Sequence, residues 1–196
     1  MTNSFPCRRR NIRERWITPD VDADERTQGH SGDSPPRMRR RISRAMLSAM
    51  TVRELGHVVL FVADLDRSRR FYGTLLEFPE VVHIPGRIAA YSGGRTHHEL
   101  MLISVGDAQP IPRGRRLGMY HFALKIGDSD DELRAVLARL QEADVRITGA
   151  SDHGVSHSLY IVDPDGNEVE LYIDVPGVDW RSDPELLAGA PRPLIL

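Results

Sequence analysis

One cysteine, Cys7, is the whole thiol content of this 196-residue chain. An intrachain disulfide is therefore excluded, and the composition suits a reducing compartment. No apolar run approaches the roughly 18 to 20 residues that span a bilayer, and the N-terminal arginines are not followed by the hydrophobic segment of a signal peptide. A cytoplasmic protein without membrane attachment is expected. Charge of one sign is missing as well. The 26 Lys and Arg against 28 Asp and Glu leave a net charge of −2, which offers no footing for nucleic acid or an acidic membrane.

Regular apolar patterning is scarce over residues 1–50. Arg8-Arg9-Arg10, the acidic patch from Asp20 to Glu25, the turn formers of Gly29 to Pro36 and the arginines from Arg37 to Arg44 read as a disordered, Arg-rich extension. A basic arm or a targeting segment is the functional alternative. The acidic interruptions argue against a transit peptide, and Met50 stands immediately before the patterned region as a second possible start.

What is present after residue 50 is a repeat. His57 opens a short apolar run, a helical stretch follows, and the run closing the first copy carries Glu99; His121 and Glu170 occupy the matching places of the second copy. The expected fold is α+β, with two βαβββ modules, 54–105 and 118–174, within a domain spanning 51–176, and a divalent metal held between the two copies is the use such a repeat suggests. In the first module the strands fall at 54–63, 81–84, 88–91 and 99–105. Asp64 caps a helix whose apolar stripe is Leu65, Ser68, Phe71, Tyr72, Leu75 and Leu76. In the second, strands at 120–126, 145–148, 158–162 and 169–173 accompany a helix opened by the capping-box pair Ser129 and Glu132 and carrying Leu133, Val136, Leu137 and Leu140. Asp163-Pro164-Asp165-Gly166 has the residue order of a type I turn between the last two strands.

A histidine in a strand is ordinarily a packed or solvated residue. Here two stand at equivalent places of a repeat, each followed by a glutamate in an apolar run, and a carboxylate there is costly to bury without a cation.

The runs Asp64-Leu65-Asp66-Arg67-Ser68-Arg69-Arg70-Phe71-Tyr72 and Asp163-Pro164-Asp165-Gly166-Asn167-Glu168-Val169-Glu170-Leu171 resemble those of the vicinal oxygen chelate superfamily, over about residues 54 to 174. That superfamily includes glyoxalase I, extradiol catechol dioxygenases, fosfomycin-resistance and bleomycin-binding proteins. Thr96-His97-His98-Glu99-Leu100, and the segment from Ser151 to Tyr160 with Tyr160 ten positions before Glu170, are similar to type I extradiol catechol 2,3-dioxygenases. The resemblance implies that the two modules form a cupped mixed sheet around a metal site, with metal ligands at His57, His121 and Glu170, an acid–base role for His98, and substrate contacts from Tyr160 and His153. It implies Fe(II), with Mn(II) equally compatible with such ligands, and a catecholic substrate cleaved by O2 next to its vicinal hydroxyls. Where some members carry a polar residue two places after the first histidine ligand and a histidine nineteen before the glutamate, this chain has Val59 and Ser151.

Two rivals remain open on the residues. A glyoxalase I-like isomerase would use Zn or Ni on His57, Glu99, His121 and Glu170, and a non-catalytic binding or resistance protein would have lost a ligand. Strand alternation allows only one of His98 and Glu99 to face the metal, and it sets His97 and His98 on opposite faces. The outward histidines among His97, His153 and His157 are expected to be solvated. The chain lacks the additional pair of modules of many dioxygenases, so an exposed sheet edge points to a homodimer. The tail 177–196 is too punctuated by proline for a strand or long helix, with one helical turn expected at Glu185 to Ala188; Trp180 and Leu186 would cover the cup or pack on a neighbouring subunit.

Overall fold

Alternating Val, Leu and Phe make β1 (Val58–Val62) in the computed structural model, which describes residues 52–112, 114–115 and 117–196. The Arg-rich segment 1–50 lies outside the described residues. The first module continues through α1 (Leu65–Arg69), a π-helical turn (Arg70–Leu75), β2 (Glu80–Ile84), β3 (Ile88–Tyr91) and β4 (Leu100–Ser104). The second comprises β5 (His121–Gly127), α2 (Asp130–Glu142), β6 (Ile147–Asp152), β7 (Ser156–Val162) and β8 (Glu168–Asp174). A 3-10 turn (Pro184–Ala188) and a two-residue β9 (Arg192–Pro193) close the chain.

Each module folds its strands in the same order. The first sheet runs β1-β4-β3-β2 and the second β5-β8-β7-β6, extended by β9. In both, the first strand pairs parallel with the fourth and the other pairs are antiparallel. The repeat read from the sequence is thus a repeat of mixed-sheet topology. β1 is shorter than the apolar run: its register with β4 begins at Val58 opposite Leu100, the first residue of β4. β9 departs from the expected strandless tail. Its edge position on β6 tolerates the proline, whose missing N–H the ladder there does not need.

The helices start as the caps direct. Asp64 accepts from Arg67 N at 2.9 Å. Ser129 accepts from Glu132 N at 3.4 Å, while the Glu132 carboxylate takes Asp128 N at 2.9 Å and the Ser129 hydroxyl at 2.8 Å. Leu133, Val136 and Leu140 are buried beneath α2. In the first module the α-helix gives way after one turn to the π turn, where Leu76 N reaches Phe71 O at 3.0 Å. Gly73 sits on this turn with the Tyr91 ring 3.3 Å from where a Cβ would stand, so only glycine allows the approach without displacing that ring.

One core joins the modules, running from Leu60, Val62, Tyr72, Tyr91, Leu100 and Leu102 to Leu133, Leu140, Leu159, Ile161, Leu171 and Ile173. Tyr72 of the first module, fully buried, donates to Asp163 Oδ2 at 2.7 Å. Asp163 also accepts from Asp165 N, Asn167 N and Asn167 Nδ2, and Gly166 N closes the turn onto Asp163 O at 3.1 Å. Arg67 pairs with Asp165 at 2.7 Å. The turn expected from Asp-Pro-Asp-Gly therefore also ties the modules together and fixes where β8 begins.

Alternation divides the faces of each sheet. In the second sheet Val169, Leu171 and Ile173 point into the core, leaving His121, Glu168, Glu170, Ser158 and Tyr160 together on the opposite face by register. In the first sheet the corresponding face is apolar and open, with Val59, Phe61, Val82 and Ile84 all exposed. Among the described residues no helix is long and apolar enough to cross a membrane.

Candidate metal centre

His121 begins β5 and Glu170 lies mid-way along β8, its parallel neighbour. The imidazole Nε2 stands 3.1 Å from Glu170 Oε2, with both side chains largely covered. Two donors each about 2.1 Å from one ion, at roughly 90° to 110°, stand ~3.0–3.4 Å apart. The spacing of this pair therefore fits two adjacent positions around a divalent metal, and an imidazole with a carboxylate is a donor set that iron, manganese, zinc and nickel all accept.

Neighbouring strands orient the pair. Ser158 on β7 is fully buried and donates to Glu170 Oε1 at 2.6 Å, which leaves Oε2 aimed at His121. Tyr160 OH stands 3.4 Å from the same Oε1 and 2.8 Å from His153 Nε2, and its ring meets His121 edge-on at 5.6 Å. Burial pushes Glu170 upward, but hydrogen bonds from His121 and Ser158 outweigh it and hold the carboxyl below its ordinary value. The bond to Glu170 raises His121. Burial, with the Glu170 charge nearby, raises the Tyr160 phenol far above neutrality, so it remains a donor.

The remaining histidines of the first module form a second group. The His57 ring lies 4.3 Å from His98 and 6.0 Å from His97, and His97 Nδ1 is 2.6 Å from His98 Nδ1. Partial dehydration and the adjacent His57 and His97 hold His98 below its ordinary value. The opposite facing expected of His97 and His98 fails for a physical reason: both precede β4, in irregular backbone where pleat alternation does not operate. Glu99 is turned onto its own loop, accepting from Gly93 N at 2.6 Å and Arg95 N at 3.2 Å. Among the described residues no three His, Cys, Asp or Glu side chains group so as to hold a metal within one chain. The chain thus brings His121 and Glu170 together, with Tyr160 and His153 beside them, and keeps His57 and His98 in a separate cluster.

Three outcomes differ from a reading of residue types alone. His157 is not solvated: Asp130 holds its Nδ1 at 2.6 Å and Asp152 lies 3.7 Å from Nε2. Ser158 escaped notice, although a buried hydroxyl two residues before Tyr160, on the same strand face, is the periodicity that would have revealed it. Glu168 was missed in the same way, two residues before Glu170.

Comparison with known proteins agrees with this architecture. The family model described as the glyoxalase/bleomycin resistance protein/dioxygenase superfamily matches residues 54–171. Catechol-2,3-dioxygenase of Bacillus subtilis (strain 168) is 37% identical over 131 residues, covering 67% of this chain and 45% of that protein. Biphenyl-2,3-diol 1,2-dioxygenase 2 of Rhodococcus globerulus is 32% identical over 124 residues, 62% of this chain and 63% of the relative. The chain thus matches less than two thirds of either relative's length. Among solved structures, a glyoxylase/bleomycin resistance protein/dioxygenase domain from Frankia sp. EAN1pec superposes with a TM-score of 0.53 at 24% identity, over 65% of this chain and 96% of that one.

Proposed function

The chain belongs to the glyoxalase/bleomycin resistance protein/dioxygenase superfamily, and from that premise we propose that it is a metal-dependent extradiol dioxygenase, cleaving a catechol-type ring beside its vicinal hydroxyls. The observation that carries the reading is the run of contacts His121–Glu170–Tyr160–His153 on one face of the second sheet. Its relatives named for catechol and biphenyl-diol cleavage support the substrate class. Glu99, occupied with two backbone N–H groups, is not free to be the fourth ligand of a glyoxalase-type site, which favours the dioxygenase over the isomerase.

In this reading His121 and Glu170 are two ligands and His57 the third. They would hold a divalent iron or manganese, which would supply the Lewis-acid and redox chemistry of catechol cleavage by O2. The protein's own groups do the rest. Ser158 keeps Glu170 Oε2 directed at the metal position. Tyr160, held by His153, donates a hydrogen bond to a substrate oxygen. His98, held below its ordinary value by partial dehydration and the neighbouring His57 and His97, accepts a proton from a catechol hydroxyl and returns it as the ring opens. Val59 and Phe61 offer an apolar surface for the ring.

A homodimer completes this centre. His57 stands apart from His121 and Glu170 within one chain, and the open apolar face beside it supports burial against a second copy, so His57 of one copy meets His121 and Glu170 of the other. Mixing two inactive variants, H57A and H121A, tests this. Random pairing makes half the dimers mixed, each with one intact site, so about a quarter of wild-type activity returns if sites form between copies. No recovery on mixing places all three ligands in one chain. Anaerobic loading with Fe(II), then O2 and a panel of catechols, tests the reaction by the appearance of a yellow ring-cleavage product. Turnover of a hemithioacetal under Zn or Ni, with no catechol product, establishes the isomerase.

A further inference from the structure

Among the described residues, two buried polar atoms beside the metal centre have no hydrogen-bond partner: His121 Nδ1 and Glu168 Oε1. They stand 3.9 Å from each other. His121 and Glu168 are direct partners in the parallel β5–β8 ladder, so the register itself places them side by side on the metal face. The other Glu168 oxygen is already in use, accepting from the Thr148 hydroxyl at 3.3 Å. Thr148 is on β6, and its hydroxyl also lies 3.3 Å from Tyr160 O, so the carboxylate is held from a third element of the sheet.

We propose that Glu168 is the positioning residue of the metal centre, accepting a hydrogen bond from His121 Nδ1–H and so presenting the lone pair of Nε2 to the metal. This rests on the reading of His121 as a ligand. The physical case is one of mutual need. A carboxylate oxygen shielded from water and from donors is disfavoured, as is a buried ring nitrogen without a partner. About 1 Å of approach brings the pair to hydrogen-bond distance and satisfies both.

The metal supplies the reason for the approach. Without it, His121 Nε2 is occupied with Glu170 Oε2 at 3.1 Å. When an ion takes Nε2, the ring must carry its proton on Nδ1, and that proton faces Glu168. An anionic acceptor there orients the ring and makes Nε2 a stronger donor, which is how outer partners of ligating histidines raise metal affinity. Glu168 and Glu170 thus share a strand face with different tasks, Glu170 on the metal and Glu168 behind the imidazole. The alternation that placed Glu170 in the site also places Glu168 there.

The test uses Zn(II) as a diamagnetic probe on the full-length protein, with affinity read by competition against a chelating dye and His121 Nδ1–H read by 15N NMR. Wild type is expected to bind Zn(II) and show a slowly exchanging Nδ1–H signal, and H121A to abolish binding. E168A should weaken binding about 10- to 100-fold and lose the protected signal. E168Q, which keeps a neutral acceptor and the strand's packing, should fall between wild type and E168A; it also serves if E168A fails to fold. A merely structural role for Glu168 would change melting temperature without moving the Nδ1–H signal. If H121A abolishes binding while E168A and E168Q bind as tightly as wild type and keep the signal, the role of Glu168 is overturned and the metal centre stands. If H121A binds Zn(II) as wild type does, the ligand role of His121 fails and this inference falls with it.

Discussion

Replacing Tyr72 by phenylalanine removes one oxygen atom from the junction of the two modules. Its hydroxyl donates to Asp163 Oδ2 at 2.7 Å, with tyrosine and aspartate both buried. The ring's packing is unaffected by the change: it meets Phe71 edge-on at 5.0 Å and lies 6.3 Å from Tyr91 and 6.5 Å from Phe122. No cavity of consequence opens, so the cost is that of a hydrogen bond to a carboxylate, about 1.5–3 kcal/mol. Asp163 keeps its bonds from Asp165 N, Asn167 N and Asn167 Nδ2, which puts the expected value toward the lower end, about 2 kcal/mol. For a chain of this size that lowers Tm by about 4–8 °C, and with a urea m-value near 2 kcal/mol/M it moves the midpoint by about 1 M. Urea unfolding followed by circular dichroism, with the D163N variant and the double mutant completing a thermodynamic cycle, measures both the loss and the coupling. A loss under about 0.5 kcal/mol at unchanged m, or additive single mutants, refutes the claim that this bond joins the modules.

Three other outcomes are expected. Substituting Glu99 by alanine should leave metal affinity within about twofold, while E170A should lower it by 100-fold or more, as loss of a ligand does and loss of a loop acceptor does not; the two are compared by the same dye competition. Arg69, at 2.7 Å, outweighs burial to hold Glu80 below its ordinary carboxyl value. A carboxyl depressed on folding contributes stability above its unfolded value near 4.5 and loses it as pH falls through its folded value. E80Q should therefore flatten the acid limb of the stability–pH curve below about pH 4.5 while leaving the slope above pH 6 unchanged, and an unaltered acid limb contradicts the pairing. Leu140 is 1% exposed beneath α2, and its replacement by alanine should cost about 2–5 kcal/mol in the same unfolding assay.

Much of the fold was legible because local chemistry and tertiary need agree. Asp64 and Ser129 cap the helices they precede, and Asp163-Pro164-Asp165-Gly166 makes the turn its residue order favours. Boundaries shifted where a partner decided them. β1 begins where its register with β4 begins, and β6 extends to Asp152 because β7 and β9 offer ladder partners that its own sequence does not announce. The π turn after Arg69 was invisible to a 3.6-residue stripe, since Leu65, Ser68, Phe71 and Tyr72 are buried in either geometry. At the site, the pairing of His121 with Glu170 follows the repeat. The His97–His98 geometry does not, because alternation was applied to backbone that is not a strand. Glu168 and Ser158 obey the same period-two rule, but a carboxylate and a serine in a strand carry no signal of a site until the register brings them beside His121 and Glu170.

The most direct measurement is single-turnover O2 consumption by anaerobically Fe(II)-loaded protein with a simple catechol, in wild type and in E170A, with bound iron quantified in each. Wild type should bind one iron per site and form a yellow ring-opened product, one per O2 consumed, while E170A should bind little iron and form none. Wild type that holds iron in the His121–Glu170 centre yet forms no ring-opened product from any catechol contradicts the dioxygenase account.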